Sequence, residues 1–394
     1  MRGLSFSELA AIHILRSFAA INNGAGDIYY SCVKQGMRPE ICYTIPAETP
    51  AMKRTLNTTI NRSKNEKNDE HYTQLADIEN EVRHYRDQFR GETVLCNCDD
   101  PRCSNFFKYF TRSFEILGLK RVIATCYKSQ DVDLFTQKSC EKAVYQIYDG
   151  DANGNREVDD EEIAVKELEG DGSFDSAECL RLLDEADIVV TNPPFSRFID
   201  FLTLLINRGK KFLILGNNLH ATTKEIFPFF QSNQVWLGHY YGNMNFIVPD
   251  HYRLEGNRAW VDEKGQKWHS LGNIVWYTNL EVKKRHEPLT LFKKYDPAVN
   301  FKYFNYDAID CNRYTDIPMD YFGEIGVPIT YLCHHNPDQF ELVGTALQLA
   351  DMQKVKDRMG RCDGGRRFYR EEGSRIVRMF DRIVIRRKDG NHAS

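Results

Sequence analysis

The sequence predicts an α/β fold built around a doubly wound, mostly parallel sheet. Between residues 93 and 215, short apolar runs rich in β-branched residues alternate with helix-length spacers, a pattern typical of parallel strands joined by helices. One run, Asp187-Ile-Val-Val-Thr, ends abruptly at Asn192-Pro-Pro, as a buried strand does where the chain leaves the sheet. The chain has 394 residues, 42% of them hydrophobic, which is enough for a large buried core.

Each element is predicted from its own segment. Apolar runs predict strands at 93–98, 121–127, 187–191 and 211–215. Amphipathic segments predict helices at 104–117, 176–185 and 198–207. Later runs predict strands joined by loops at 235–238, 245–248 and 274–279. Right-handed crossovers would place the first strand beside the strand that ends at Asn192, at the point of the sheet where ligands usually bind.

The first 68 residues differ from this pattern. Residues 1–50 hold two helix-like runs around a glycine turn and predict a small helical extension, which is either a DNA-reading helix-turn-helix or a packing appendage. Residues 51–68 are polar and basic, with a net charge of +4 over 53–67. This segment is interpreted as an arm that lies on phosphate or as a solvated linker.

Composition excludes several classes of protein. A net charge of -4 argues against a protein that coats nucleic acid without specificity, although a local basic face remains compatible with it. The eleven cysteines are scattered, which favours reduced thiols in a cytosol over disulfides. The apolar stretch 201–215 is interrupted by Arg208, Lys210 and Lys211, so no membrane span is expected. Together these features predict a cytoplasmic protein.

Two segments resemble metal sites. Asp149, Asp151, Asn153 and Asp160 follow the spacing of an EF-hand calcium loop, but an acidic Asn-Gly turn between two strands explains the flanking alternation better. Cys96, Cys98 and Cys103 have no paired CxxC motif that would complete a zinc cage. The sequence therefore predicts no metal site.

Asn192-Pro-Pro-Phe offers a specific chemistry. The Asn192 side chain and the Pro193 carbonyl supply two acceptors, and the prolines add no competing donor, so a planar exocyclic amine such as adenine N6 could donate both its hydrogens here. Phe195 would give the base a surface on which to stack. The alternative is an ordinary strand exit, in which Asn192 caps a turn and Phe195 packs in the core.

This motif resembles the catalytic motif of amino-methyltransferases, in the form typical of adenine-N6 DNA methyltransferases. Further segments are similar, in order, to the EcoRI-type family: Asp69-Glu-His-Tyr-Thr-Gln, Leu95-Cys-Asn-Cys-Asp-Asp-Pro-Arg, Ser104-Asn-Phe-Phe-Lys-Tyr-Phe, Ile123-Ala-Thr-Cys-Tyr, Gly170-Asp-Gly, Phe246-Ile-Val-Pro and Gly326-Val-Pro-Ile-Thr. The resemblance implies a Rossmann-like sheet of the seven-stranded type that uses S-adenosylmethionine. It assigns catalysis to Asn192, Pro193, Pro194 and Phe195.

The resemblance also implies a cofactor site. Tyr72 and Thr73 would hold the methionine part of S-adenosylmethionine, and Asp171 would accept from its adenine amine. The remaining implied residues lie at the ends of the first two strands: Cys98, Asp99, Asp100, Cys126 and Tyr127. A glycine-rich phosphate loop is absent from the sequence, and a cofactor without pyrophosphate does not require one.

A catalytic domain is expected over 69–288 and a target-recognition region over 289–394. Residues 354–388 carry thirteen Lys or Arg against five Asp or Glu, a net charge of +8. Such a patch suits contact with phosphate and with base edges, or it is a basic tail. The candidate DNA-binding residues are Arg361, Arg366, Arg367, Arg370 and Arg375.

The leading hypothesis is therefore an enzyme that methylates N6 of an adenine flipped out of double-stranded DNA. It would be bacterial or phage-encoded, working alone or opposite a cognate restriction endonuclease. The alternatives are methylation of RNA adenine or of a protein glutamine, and a non-catalytic DNA-binding relative. The intact Asn192 to Phe195 motif argues against the last of these.

Overall fold

A computed structural model describes residues 71–98, 104–125, 143–250, 252–360 and 365–388. The predicted helical extension (1–50) and basic arm (51–68) lie outside the described residues. The helices are α1 (Leu75–Val82), α2 (Asn105–Arg112), α3 (Phe114–Leu117), α4 (Ala177–Glu185), α5 (Phe198–Asn207), α6 (Phe227–Gln231), α7 (Ala346–Leu349) and α8 (Met352–Met359). Within the described residues, no helix is both long and apolar enough to cross a membrane.

A nine-stranded sheet forms the centre of the fold, in the order β4-β3-β2-β1-β5-β6-β9-β7, with β8 paired to β9. Its strands are β1 (Thr93–Cys96), β2 (Arg121–Thr125), β3 (Val144–Tyr148), β4 (Ile163–Glu167), β5 (Ile188–Thr191), β6 (Lys211–Asn217), β7 (Trp236–Ile247), β8 (Ala259–Val261) and β9 (Lys267–Thr278). The predicted strands at 93–98, 187–191 and 211–215 and the helices at 176–185 and 198–207 are confirmed within a few residues at each end. The helix predicted at 104–117 is two helices, α2 and α3, and the last two residues of the strand predicted at 121–127 lie outside the described residues.

The parallel part of the sheet is buried on both faces because its strands are apolar throughout. Side chains alternate between two cores: Val94 packs towards α1 and α2, whereas Leu95 packs towards α4 and α5. As predicted, β1 and β5 are neighbours. The two strands pair in parallel, with Val94 opposite Ile188. The loops that follow β1 and β5 therefore leave the sheet at the same edge.

The sheet is mixed, and the expectation of a mostly parallel sheet is wrong. The strands β2, β1, β5 and β6 pair in parallel with one another. Every other pairing in this sheet is antiparallel. The hairpin of β3 and β4 contributes to the difference, since a strand that returns through a local turn pairs antiparallel. The runs at 235–238 and 245–248 are parts of one long strand, β7, because bulges interrupt its apolar pattern without breaking it.

The strands β7 and β9 continue beyond the end of β6. Asn217, the last residue of β6, pairs with Ile274 of β9, so the preceding residues of β9 extend past the edge at which β5 ends. We call this part the sheet extension: residues 243–247 of β7, all of β8, and residues 267–273 of β9. The sheet extension thus lies beyond the edge at which the loop beginning at Asn192 leaves the sheet.

A buried carboxylate joins α1 to β7. Glu81 is fully buried, and its two oxygens accept hydrogen bonds from the backbone N–H groups of His239 and Tyr240, both at 2.8 Å. The Tyr85 hydroxyl donates to the same carboxylate at 2.9 Å. At Gly238 a Cβ atom would lie 2.2 Å from Glu81 Oε1, so only glycine allows this approach. The contact fixes the start of the described chain against the sheet.

Residues 289–388 form a second sheet and a hairpin. The sheet has the order β10-β11-β15-β12, and β13 pairs with β14. Their bounds are β10 (Ile309–Asp310), β11 (Ile325–Pro328), β12 (Phe340–Thr345), β13 (Tyr369–Glu372), β14 (Arg375–Arg378) and β15 (Arg382–Arg387). Ile309, Val327 and Ile385 belong to the same buried cluster as Phe198 of α5, so the second sheet shares a core with a helix that covers the first.

Candidate active site

The loop after β5 holds Asn192 in a defined orientation. Thr191, the last residue of β5, donates from its hydroxyl to the Asn97 carbonyl beyond β1 and so ties the two strand ends together. Asn192 is 7% exposed, and its Nδ2 donates to the His71 carbonyl at 2.7 Å. Its Oδ1 is buried and has no hydrogen-bond partner within the described residues. The amide oxygen is therefore an unused acceptor at the edge of the sheet.

An unused acceptor of this kind is costly. A buried polar atom without a partner costs about 1–3 kcal/mol, so natural proteins rarely keep one without a function. The opposite orientation of the amide would place Oδ1 against the His71 carbonyl, and two acceptors repel. The His71 carbonyl thus selects the orientation that leaves Oδ1 available.

The motif then turns away from the sheet. Pro193 is buried, and the Pro194 carbonyl accepts from the Arg197 N–H at 3.0 Å, which closes the short 3-10 turn Phe195–Arg197. Phe195 is half-buried, and its ring centroid lies 5.7 Å from that of His71. Its ring packs against the core cluster that includes Val94 and Phe246. Its role in stacking on a base stays a prediction.

Tyr72 and Thr73 directly follow His71, whose carbonyl contacts Asn192. Tyr72 forms a backbone bridge with Ile247 of the sheet extension, with N–H to carbonyl distances of 2.8 and 3.3 Å. The Thr73 carbonyl accepts from the Asn105 side chain at the start of α2, at 2.7 Å. The Thr73 hydroxyl is buried and, like Asn192 Oδ1, has no partner within the described residues.

The end of β1 contributes a third unused acceptor. Asn97 is 4% exposed, and its Oδ1 has no partner among the described residues. Cys98 follows with φ +81°, a left-handed conformation that turns the chain sharply out of the strand. Asp99, Asp100, Cys126 and Tyr127 lie outside the described residues. Sequence reasoning missed Asn97, although its place at the end of a buried strand was a signal.

Asp171 forms a turn on the exposed surface. Its Oδ1 accepts from the Ser173 N–H at 2.9 Å, which is the turn geometry typical of an aspartate between glycines. The loop that follows is held to the motif by Arg197, which bonds to Asp175 at 2.7 Å and lies 4.3 Å from the centre of the Phe174 ring. Arg197 holds the pKa of Asp175 below its usual value. Sequence reasoning did not identify this role of Arg197.

The structure narrows the choice of a ring opposite Phe195. Trp276 and Phe246 are fully buried, and Trp276 packs against Phe106 in the core, so neither presents a face to a base. Tyr240 donates its hydroxyl to the Asn243 carbonyl, and Tyr241 is 43% exposed. Of the four candidates, only the two tyrosines have accessible rings.

The acidic loop and the cysteines show no metal geometry. Strands β3 and β4 form the predicted antiparallel hairpin, and Asp151 accepts from the N–H groups of Gly154 and Arg156 at 2.6 and 2.7 Å. The described cysteines Cys96, Cys98, Cys179, Cys311 and Cys333 are all reduced thiols. Among the described residues, no group of three or more His, Cys, Asp or Glu side chains could hold a metal ion.

The predicted DNA-binding arginines separate into two groups. Arg367 is paired with Asp381 at 2.8 Å, and Arg370 is paired with Glu372 and lies over the Phe301 ring at 4.8 Å. Arg361 lies outside the described residues. Arg366 and Arg375 are exposed, as is Arg378, which was not predicted; we call these three residues, on and beside the β13–β14 hairpin, the hairpin arginines.

Comparison with known proteins identifies the family. The family model "Adenine-specific methyltransferase EcoRI" matches residues 59–388. The chain is 46% identical over 291 residues to the type II methyltransferase M.EcoRI of Escherichia coli, a match that covers 73% of this chain and 89% of the relative. The chain belongs to the EcoRI-type adenine-specific methyltransferase family. The resemblance seen in the sequence is confirmed.

Two mycoplasma enzymes extend the comparison of this EcoRI-type methyltransferase. Type II methyltransferase M.MpnI of Mycoplasma pneumoniae is 40% identical over 290 residues, covering 72% of this chain and 84% of the relative. M.MgeORF184P of Mycoplasma genitalium is 37% identical over the same length and coverage. No solved structure matches the chain. The EcoRI-type family consists of adenine-specific DNA methyltransferases of the restriction-modification kind, and this chain is such an enzyme.

Proposed function

We propose that this enzyme transfers a methyl group from S-adenosylmethionine to N6 of an adenine that is flipped out of a specific sequence in double-stranded DNA. The observation that carries the proposal is the buried, unpartnered Oδ1 of Asn192, which is oriented by the His71 carbonyl at 2.7 Å from Nδ2. An amine that donates to this oxygen satisfies it. The donation also draws electron density towards the amine nitrogen, which makes the nitrogen a better nucleophile.

The residues of the motif position the adenine through different contacts. Asn192 Oδ1 accepts one hydrogen of the adenine amine and the Pro193 carbonyl accepts the other, which places the lone pair of the nitrogen out of the plane of the base. Phe195 stacks on the base, a contact worth about 1–3 kcal/mol that helps to offset the cost of unstacking it. Holding both reactants in line contributes up to about 7–11 kcal/mol to the lowering of the barrier. We assign no nucleophilic side chain.

The cofactor site of this proposal lies between β1, the Tyr72–Thr73 segment and the motif. S-adenosylmethionine supplies an electrophilic methyl group when it is bound. Two further unpartnered atoms fit its amine and hydroxyl donors: Asn97 Oδ1 and the Thr73 hydroxyl, both buried at the same edge as Asn192 Oδ1. We assign the remaining contacts to Tyr72, Cys98 and Asp171, and to Asp99, Asp100, Cys126 and Tyr127, which lie outside the described residues. The parallel strands β2-β1-β5-β6 then correspond to the Rossmann-like part of the seven-stranded methyltransferase sheet.

Residues 289–394 form the target-recognition region in this proposal, and residues 69–288 form the catalytic domain. The hairpin arginines are exposed and suit contact with phosphate or base edges, whereas Arg367 and Arg370 are occupied by acidic partners. We therefore assign DNA contact to Arg366, Arg375 and Arg378 and give Arg367 and Arg370 a structural role. A restriction endonuclease that cuts the same sequence is the expected partner in the cell, without stable contact.

The test compares two asparagines in a single-turnover assay of methyl transfer to DNA. Asn192→Ala is expected to lower the rate of transfer by at least about 10²-fold, the usual loss when one preorganised hydrogen bond to the reacting group is removed. The control is Asn279→Ala. Asn279 bonds to the backbone of Phe212 and Lys210, both at 2.9 Å, at the opposite end of β6. It should lower stability and leave the rate unchanged.

Affinity for DNA is measured on both variants, so that loss of binding is distinguished from loss of chemistry. We expect Asn192→Ala to bind DNA nearly as the wild type does. A rate for Asn192→Ala within threefold of that for Asn279→Ala would remove Asn192 from the mechanism. Nucleoside analysis of the methylated DNA identifies the product, and a product other than N6-methyladenine would contradict the proposal.

A further inference from the structure

A group of rings lies between the sheet extension and the segment that orients Asn192. The His71 ring is in contact with Phe246, Tyr252 and His269, with centroid distances of 5.4, 5.6 and 5.3 Å. Phe246 of β7 and His269 of β9 are cross-strand partners, so both side chains project from the same face of the extension. His71 is only 6% exposed. Rings of the extension, together with Tyr252 and Phe195, therefore bury His71.

Hydrogen bonds run through this group. The Tyr252 hydroxyl lies 2.7 Å from His269 Nδ1, and His71 Nε2 lies 3.1 Å from the same nitrogen. Burial and the nearby Arg258 lower the pKa of His269, so its ring is neutral at pH 7. The Tyr252 hydroxyl and His71 Nε2 thus share His269 Nδ1 as a partner, and this nitrogen forms one strong hydrogen bond at a time. The contacts link the three side chains and restrict both rings.

Fixing the His71 ring also fixes the His71 carbonyl. The next residue, Tyr72, is bridged to Ile247 by backbone hydrogen bonds, so residue 71 is held by its side chain on one side and by its neighbour's backbone on the other. Its carbonyl is the acceptor for Asn192 Nδ2 at 2.7 Å. The direction of that carbonyl decides where Asn192 Oδ1 points.

We propose that His269 and Tyr252 are positioning residues for methyl transfer: they hold His71 so that its carbonyl orients the Asn192 amide towards the adenine amine. This inference rests on the proposed function of Asn192 and adds a device that controls it. Neither residue needs to contact the substrate. The sheet extension, which the parallel sheet does not require, thereby gains a role in catalysis.

The proposal predicts that variants of His269 and Tyr252 change kcat and leave KM nearly unchanged. His269→Phe keeps a ring in place and removes the acceptor that fixes Tyr252 and His71, so the Asn192 amide spends less time in the productive orientation. We expect kcat to fall about tenfold, the effect of losing one hydrogen bond, with KM for S-adenosylmethionine and affinity for DNA within about twofold of wild type. His269→Asn returns an acceptor oxygen near the position of Nδ1 and should recover most of the rate. Tyr252→Phe should lower kcat less than His269→Phe does.

The matched control is a second imidazole pair, formed by His84, which follows α1, and His239 of β7. The exposed His84 stacks on His239 at 3.5 Å between ring centroids. His84→Phe should leave kcat unchanged. Thermal unfolding of every variant shows whether it folds, and rates are compared per folded molecule.

A readout without turnover follows the Asn192 side chain directly. In protein with labelled asparagine, hydrogen exchange of the Asn192 carboxamide should be at least about tenfold faster in His269→Phe than in the wild type or His84→Phe, because the bond to His71 is weakened. Equal exchange and equal kcat in His269→Phe and His84→Phe would overturn the inference, as would failure of His269→Asn to exceed His269→Phe. If instead Asn192→Ala retains activity, the proposed function fails, whatever the histidine variants show.

Discussion

Replacement of Glu81 by alanine tests how strongly the buried carboxylate stabilises the contact between α1 and β7. The substitution removes the acceptor of three hydrogen bonds, from the N–H groups of His239 and Tyr240 at 2.8 Å and from the Tyr85 hydroxyl at 2.9 Å. Each buried donor that loses its partner costs about 1–3 kcal/mol. Water entering the vacated space would satisfy part of this loss. We therefore expect the free energy of unfolding at pH 7 to fall by about 3–5 kcal/mol.

The assay is urea unfolding, followed in parallel for Glu81→Ala and for Glu79→Ala. Glu79 lies on the same helix but is exposed, so its replacement should change the free energy of unfolding by less than about 0.5 kcal/mol. A loss below about 1 kcal/mol for Glu81→Ala would refute the reasoning, because three donors left without an acceptor should lower the free energy of unfolding by more than this.

The same pair of variants has an expected dependence on pH. Burial raises the pKa of Glu81 above 4.5, although the hydrogen bonds it accepts lower it in part. A carboxyl whose pKa is raised on folding contributes stability that is present below its unfolded pKa and is lost as the pH rises through the folded value. The stability advantage of the wild type over Glu81→Ala should therefore narrow as the pH rises above 4.5. A gap that widens over this range would contradict the assigned direction.

Two further predictions concern the ligands. Arg197→Ala should raise KM for S-adenosylmethionine about fivefold with little change in kcat, because it removes the ion pair that holds the loop after Asp171 to the motif. The control is Arg208→Ala, which breaks a similar pair with Asp184 at 2.6 Å. Equal KM values in the two variants would argue against the role of Arg197. Replacing the three hairpin arginines by alanine should reduce the slope of log K against log salt for DNA binding by up to about 0.9 per arginine. The exposed Arg181 on α4 serves as the control residue, and an unchanged slope would exclude the hairpin from the DNA interface.

The sequence predicted the parts of the fold that short segments determine. The apolar run of β5 and the prolines after Asn192 define a buried strand and its exit without reference to the rest of the chain. The adjacency of β1 and β5 followed from the handedness of crossovers. The alternation on both sides of the acidic loop predicted the hairpin of β3 and β4, which the structure shows.

Contacts between distant residues were not predictable in the same way. Asn192 and His71 are separated by 121 positions, and Tyr240 and Glu81 by 159, so nothing in either local sequence indicates the partner. In the sequence, a glutamate that will be buried cannot be distinguished from an exposed one. Only the fold brings the two N–H groups of β7 against Glu81. The bulges of β7 also disguised one long strand as two short ones. Trp276 shows the same limit, since an aromatic residue in a strand can equally be core or surface.

The most direct test of the central claim is a crystal structure of the enzyme with a cofactor analogue and duplex DNA that contains its target sequence. The account predicts that the target adenine lies outside the helix, with its N6 within about 3.2 Å of Asn192 Oδ1, while Asn192 Nδ2 still donates to the His71 carbonyl. An adenine amine held by other residues, or an Asn192 amide turned so that Oδ1 faces His71, would contradict it.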